Sequence, residues 1–220
     1  MRALGEPNAG RYLALLQADE GEFRALVNLL TINETYFFRD PEQIHWLVDR
    51  VVPRLLAQRG AEGRVRILSA GCSSGEEPYS VAIALHQRYG AAASQLFEIV
   101  AGDIDSDVIT RAQEAFYTSF SFRAMPFALR ESHFEAVDGR YRLKDAIRQM
   151  VTFRALNLID VSAFREPAGF DLVLMRNVSI YFDVPTRKRI QEGLVTLMND
   201  GAVLITGSTE TLANDLGVLH

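Results

Sequence analysis

The sequence has one cysteine, Cys72, and one tryptophan among its 220 residues. A single thiol excludes an internal disulfide and any zinc site built from several cysteines. The four histidines, His45, His86, His133 and His220, are scattered without ligand spacing, so no metal site is expected. Long apolar runs are also missing. Charges and prolines interrupt even the richest segment, residues 51–56, far short of the ~18 residues of a membrane span. The first ten residues, MRALGEPNAG, lack a basic stretch followed by an apolar one, so no secretory signal is visible and a reducing cytoplasm is the expected setting. Nor is there an excess of positive charge. With 23 Lys and Arg against 28 Asp and Glu the formal net charge is −5, which argues against a general nucleic-acid-binding surface.

What is present is the composition of an ordinary folded chain, 48% hydrophobic and 23% charged. Apolar positions at helical spacing lie on either side of Asp19-Glu20-Gly21 and predict two short helices within residues 11–30. Asp40 as N-cap, Pro41 at the first helical position and Gln43 three residues after the cap mark a further helix that stops at Gly60 and is kinked or divided at Pro53. From Val65 the pattern changes to short apolar runs, VRILSAG, FEIVAGDID, FDLVLMRN and AVLITG, alternating with amphipathic stretches. That alternation predicts a parallel, doubly wound α/β sheet. Residues 116–157 break it, and there Asp138-Gly139 between FEAV and RYRL predicts an inserted hairpin. The expected organisation is a helical part with a linker helix over residues 1–60 and an α/β domain over 61–220, with a small antiparallel β-subdomain inserted at about 118–150.

In such a sheet a ligand lies beyond the carboxyl ends of the strands, so the strand-closing residues are the site candidates. Gly71, in the loop that follows the first strand, lets the backbone approach a ligand, yet neither G-x-G-x-x-G nor a P-loop occurs. Glu76 and Glu77 follow directly; carboxylates there repel a pyrophosphate and favour a cationic ligand such as an ammonium or sulfonium. Asp103 closes the second strand, the usual place of an acceptor for ribose hydroxyls, while Asp105 reads more readily as the cap of the next helix than as a ligand group. Arg176, Asn177 and Tyr181 stand at the mouth of the same crevice. Cys72 has no histidine tied to it and reads as a small residue in a tight loop.

Five segments, NETYFFRD (33–40), SAGCSSGEEPYS (69–80), GDID (102–105), ALNLID (155–160) and RNVSIYFD (176–183), resemble the CheR-type chemotaxis protein methyltransferases in order and spacing. The resemblance implies a Rossmann-like, S-adenosylmethionine-dependent enzyme that esterifies glutamate side chains on the cytoplasmic helices of chemoreceptors and releases S-adenosylhomocysteine. By motif it places Asn33, Thr35 and Arg39 at the cofactor and reaction site, and lines the pocket with Glu76, Asp103, Asn157, Leu158, Arg176 and Asn177. Tyr181 is expected beside the transferred methyl group, near Arg39.

The chain departs from the pattern in three ways. Only about thirty residues precede NETYFFRD, Gly207-Ser208-Thr209-Glu210 stands where GHSE is common, and the terminal strand is not evident, which leaves room for a further C-terminal domain in a longer protein. The short insert lacks extra glycines, so dependence on a receptor tail peptide is not expected. Arg140, Arg142, Lys144 and Arg148 on the insert read as a contact for acidic receptor helices or as a solvated face. A non-catalytic cofactor-binding adaptor and a methyltransferase for small carboxylic acids are the alternatives.

Overall fold

The computed structural model of the chain describes residues 8–60 and 63–210. Two helices open it, α1 (Ala9–Ala18) and α2 (Glu20–Leu30). Asp19 separates them: its backbone N–H closes α1 on the Leu15 carbonyl, and its side chain caps α2 by accepting from the Gly21 and Glu22 amides. Neither helix has a fully buried residue. After a loop come α3 (Pro41–Trp46), a π-helical turn (Leu47–Val51) and α4 (Val52–Arg59), which ends at Gly60. The irregular turn sits just before Pro53, where the missing proline amide breaks the regular ladder. Leu47, Val51, Val52 and Leu55 from this segment are buried in the main core.

Asp40 does not act as the side-chain cap expected of it. Its φ is 55°, its carboxylate makes no cap bond, and it accepts instead from the Arg176 guanidinium at 3.2 Å. A charged partner outweighs a neutral backbone amide here.

The remaining elements are β1 (Val65–Ala70), α5 (Glu76–Tyr89), α6 (Ala93–Leu96), β2 (Phe97–Asp103), α7 (Ser106–Glu114), β3 (Phe116–Tyr117), α8 (Phe127–His133), β4 (Phe134–Val137), β5 (Arg140–Leu143), α9 (Asp145–Arg148), β6 (Val151–Ala155), β7 (Phe170–Met175), α10 (Val184–Val195) and β8 (Met198–Thr206). Five strands form one parallel sheet in the order β6-β2-β1-β7-β8. β1 and β7 are buried at every position, as parallel strands covered on both faces must be. Their side chains alternate: Ile67, Ile99 and Leu172 enter one apolar cluster, Leu68, Val100 and Val173 the other. From β1 the chain winds outward through β2 to β6, then returns to place β7 on the other side of β1. The order reverses between β1 and β7, and the crevice beyond their carboxyl ends is the fold's natural binding place.

The insert is a three-stranded antiparallel sheet in the order β3-β5-β4. Its hairpin turns at Asp138 and Gly139, both at positive φ (48° and 75°), as a two-residue hairpin turn requires. VTFRA, within the interval that interrupts the alternation, is not part of the insert: it is β6, the edge strand beside β2. Residues 211–220, the place of a terminal strand, lie outside the described residues. Among the described residues no helix is long and apolar enough to cross a membrane.

Candidate active site

A cavity of about 550 Å³ opens at this switch point, walled by the loops after β1, β2, β6 and β7 and by the segment that follows α2. Its volume falls in the range of small-molecule sites.

NETYFFRD crosses the cavity because its two phenylalanines point elsewhere. Phe37 is fully buried against the insert, stacked on Phe122 with centroids 5.2 Å apart and edge-on to Tyr117 and Phe134. Its amide donates to the Ser121 carbonyl at 2.9 Å. Phe38 is buried in the main core, and its amide donates to Ser80 Oγ on α5. Arg39 then has only the cavity side left. Phe38 and Asp40 on either side of it lie in the left-handed region, at φ 57° and 55°, a conformation that costs a bulky residue of order 1 kcal/mol or more. Four guanidinium bonds offset that cost. Arg176, at the end of β7, donates to the Arg39 carbonyl (2.7 Å), Asp40 (3.2 Å), Glu77 (2.9 Å) and Gln43 (2.5 Å). The Arg176 side chain is thus committed to protein partners while lining the wall. Arg39 donates only to the Glu34 carbonyl, at 3.1 Å, and forms no ion pair among the described residues.

Asp103 closes β2 facing the cavity, with its carboxylate accepting from the Ser73 amide (2.8 Å) and the Asp105 amide (3.1 Å). Burial pushes its pKa up, and these two amide bonds offset part of that rise. Asp105 does not line the cavity. One of its oxygens caps α7 through the Asp107 and Val108 amides; the other accepts from Thr31 Oγ1 (2.7 Å) and Asn33 Nδ2 (2.8 Å). Burial acts to raise its pKa, but the bonds from Thr31, Asn33 and the two amides leave it lowered. Asp105 therefore ties the start of NETYFFRD to the sheet.

Of the residues expected at the site, Asn33, Thr35, Arg39, Gly71, Asp103, Asn157, Leu158, Arg176, Asn177 and Tyr181 all line the cavity. Glu76 does not line it. Its side chain is buried behind the β1 loop, accepting from Ser74 Oγ (2.7 Å) and Ser121 Oγ (3.1 Å), and burial raises its pKa. Glu77 takes the wall position, held by Arg176 and by Ser69 Oγ at 2.8 Å. The two acids are adjacent on α5 and point about 100° apart around it. Cys72 is buried, and burial with the charges of Asp103 and Glu77 raises its thiol pKa well above the ordinary value, which makes it a poor nucleophile.

Sequence reasoning missed the apolar lining. Val27 and Leu30 of α2, Ile32, Ile104, Leu156, Ile159 and Val178 give the cavity mainly hydrocarbon walls. A signal existed: Ile104 and Ile159 each directly follow a polar or strand-ending site segment. Close approach is made possible by glycine. A Cβ on Gly71, at φ 83°, would meet Val178 at 2.6 Å, and one on Gly102 would meet Leu156 at 2.5 Å.

A parallel sheet of this order, with an acid closing the second strand over a largely apolar cavity, defines the class of Rossmann-like nucleoside-binding proteins. Among solved structures the CurJ carbon methyltransferase shares the fold, with a TM-score of 0.50 and 14% identity over 86% of this chain and 39% of that one. Residues 33–219 match the CheR methyltransferase, SAM binding domain. Chemotaxis protein methyltransferase 2 of Vibrio cholerae is 35% identical over 93% of this chain, which spans 71% of that protein. The probable biofilm formation methyltransferase WspC of Pseudomonas aeruginosa is 36% identical over 99% of this chain, which spans 51% of that one. The chain belongs to the CheR methyltransferase family, and S-adenosylmethionine is the cofactor of its domain.

Proposed function

We propose that the chain transfers a methyl group from S-adenosylmethionine to glutamate side chains on the cytoplasmic helices of chemoreceptors, leaving methyl esters and S-adenosylhomocysteine. The observation that carries this reading is the unpaired Arg39, held in a strained turn at the rim of a largely apolar cavity whose floor bears the Asp103 carboxylate.

The donor set fits the cofactor. Asp103 is the acceptor for ribose hydroxyls, Gly71 and Asn177 the close-approach wall, and Asn157 with Leu158 a polar and apolar edge for the base. Asn33, Thr35 and the Glu77 carboxylate suit the amino-acid end. When bound, the cofactor supplies an electrophilic methyl group carried on a cationic sulfur. A glutamate carboxylate is already ionised at neutral pH, so no general base is required. That accords with a cavity wall that has no histidine among the described residues and a Cys72 thiol whose pKa burial raises well above the ordinary value. Arg39 draws in and orients the incoming carboxylate, and Tyr181, half exposed at the mouth, holds the transfer geometry. Opposite charges are cancelled as reaction proceeds, so the apolar walls that exclude water favour the transition state over the separated ions.

The test is transfer of labelled methyl from S-adenosylmethionine to receptor cytoplasmic fragments, followed by mild base to release methanol. Base-labile label on the receptor, lost in Arg39→Ala, is expected. Label on free carboxylic acids alone would favour a small-molecule enzyme. Cofactor binding with no transfer to any receptor fragment would favour an adaptor.

A further inference from the structure

Beyond β8 the chain returns to the cavity from behind. Glu210 lies there, partly buried, and it is not among the cavity-lining residues. Its carboxylate nonetheless has a full complement of donors. One oxygen accepts from the Asn177 amide (2.5 Å) and the Gly207 amide (2.7 Å); the other accepts from the Ser179 amide and the Ser179 hydroxyl, each at 2.7 Å. Three backbone N–H groups and one O–H thus converge on a single side chain, and charge-assisted bonds of this kind are about twice as strong as neutral ones. The turn they hold is Asn177-Val178-Ser179. It carries Asn177 at φ 60°, places Val178 against Gly71, and leads through the Val178 carbonyl, which accepts from the Tyr181 amide at 3.2 Å, to Tyr181.

The geometry points to Glu210 as a positioning residue that fixes the turn bearing Asn177 and Tyr181 for methyl transfer. The inference rests on the proposed reading of the cavity. Gly207 supplies an independent observation. A Cβ there would meet the Glu210 carboxylate at 2.6 Å and the Asn177 side-chain and backbone nitrogens at 2.9 and 3.1 Å, so the close fit tolerates no side chain at this position. The same segment is fastened from its other end. Thr206 accepts from Gln43 Nε2, while Gln43 Oε1 accepts from Arg176, so the strand that delivers Glu210 is tied to the network that holds Arg39.

The experiment compares Glu210→Gln, Glu210→Ala and Gly207→Ala in the full chain. In the ligand-free protein the ¹H–¹⁵N resonances of Asn177, Ser179 and Gly207 should move in both Glu210 variants, because each amide loses its carboxylate acceptor, and those of Asn177 and Ser179 should move in Gly207→Ala, where the added Cβ displaces the carboxylate. With melting temperature near that of the parent, kcat should fall about 10-fold in Glu210→Gln, which keeps one acceptor oxygen, and about 100-fold in Glu210→Ala, while KM for the receptor fragment stays within about twofold. Combining Gly207→Ala with Glu210→Ala should add little further loss, since both break one device. A purely structural role would lower the melting temperature and leave the kcat of the folded fraction unchanged, which overturns the inference. Unmoved amide resonances, or kcat within twofold in Glu210→Ala, would also overturn it. If the parent chain transfers no methyl group, the functional reading falls; calorimetric cofactor affinity then becomes the readout, and an unchanged affinity in Glu210→Ala overturns the positioning role as well.

Discussion

At the amino ends of β1, β2 and β7, buried charges are matched to one another, whereas at the carboxyl ends Asp103 and Arg39 face a cavity. Arg66, buried at the start of β1, donates to Glu98 at 3.1 Å and Glu166 at 2.6 Å and to the Ala168 carbonyl, and lies over the Phe170 ring. Asp171 accepts from Arg59, from the Arg66 amide at 2.9 Å and from Asn199 at 3.0 Å. Those groups close the bottom of the sheet on one another. At the other end the same residue types divide into two populations. Arg176 is committed to protein partners; Arg39, with one hydrogen bond to a carbonyl, is not. The lesson is that a charged residue beside the crevice is available to a ligand only where the fold leaves it donors or acceptors to spare, and that Arg176 is spent in holding the turn that leaves Arg39 so.

Arg39→Ala should break the comparison most severely. Removing this rim cation, which has no ion-pair partner among the described residues, should cut methyl transfer about 10³-fold, roughly 4 kcal/mol in barrier. Calorimetric affinity for the cofactor should change little, since Asp103 and the cavity walls remain. A comparable loss of affinity would move Arg39 from the reaction to cofactor binding. Asp171→Ala attacks the opposite end. It strands Arg59 and the Arg66 amide, and should cost about 3 kcal/mol of stability in denaturant titration, the low end for a broken buried pair because Arg59 keeps part of its side chain in water. The folded fraction should keep the parental kcat. A drop in kcat would show that the two ends are coupled through β7.

Much of this division was legible in the sequence, and the reasons it stopped are physical. Alternating apolar runs and amphipathic stretches mark the parallel strands, because a sheet covered on both faces buries side chains pointing to either side, such as Val65, Ile67 and Leu68. β6 is an edge strand, buried only at Val151 and Phe153, so its run is diluted by Thr152 and Arg154 and merges with the insert in the text. Strand-end logic finds Asp103, and motif resemblance brings the NETYFFRD and RNVSIYFD segments to the same crevice. Neither separates Glu76 from Glu77, since which of two neighbouring acids faces a cavity depends on the rotation of α5. Nor does the text say that Arg176 is consumed. That follows from Gln43, Asp40 and Glu77, which come together only on folding.

Asp103 allows the difference between a ligand group and a structural one to be read by pH. Burial raises its pKa above the ordinary 3.8, so in the empty protein the group favours the folded state at low pH and this contribution is lost as pH rises through the raised value. A ligand whose hydroxyls donate to the carboxylate acts with the opposite sign: it requires the ionised form, and its affinity must fall as pH drops through the same raised value. Calorimetry across the acid range should show cofactor affinity starting to decline above the pH at which an ordinary aspartate titrates. Asp103→Asn should weaken binding by about 2 kcal/mol near neutrality, as expected for a hydrogen bond to a charged group, and should flatten the pH dependence. A decline that persists unchanged in Asp103→Asn would assign it to another carboxylate.

The smallest effect is expected in Gly139→Ala, and it asks whether the insert belongs to the site or only adjoins it. Nothing lies within 4 Å of a Cβ at this position, so the substitution introduces no clash; its cost is the left-handed backbone at φ 75°, about 1 kcal/mol for a residue with a side chain. For a chain of this size that should lower the melting temperature by roughly 2–4 °C. The strain falls on the hairpin of β4 and β5, and β4 begins with Phe134, one of the rings around Phe37. Phe37 is two residues from Arg39. If the hairpin merely adjoins the site, cofactor affinity and kcat both stay within twofold. If the aromatic cluster transmits its loosening, kcat falls while cofactor affinity holds, because the route from Phe134 through Phe37 ends at Arg39 and not at Asp103.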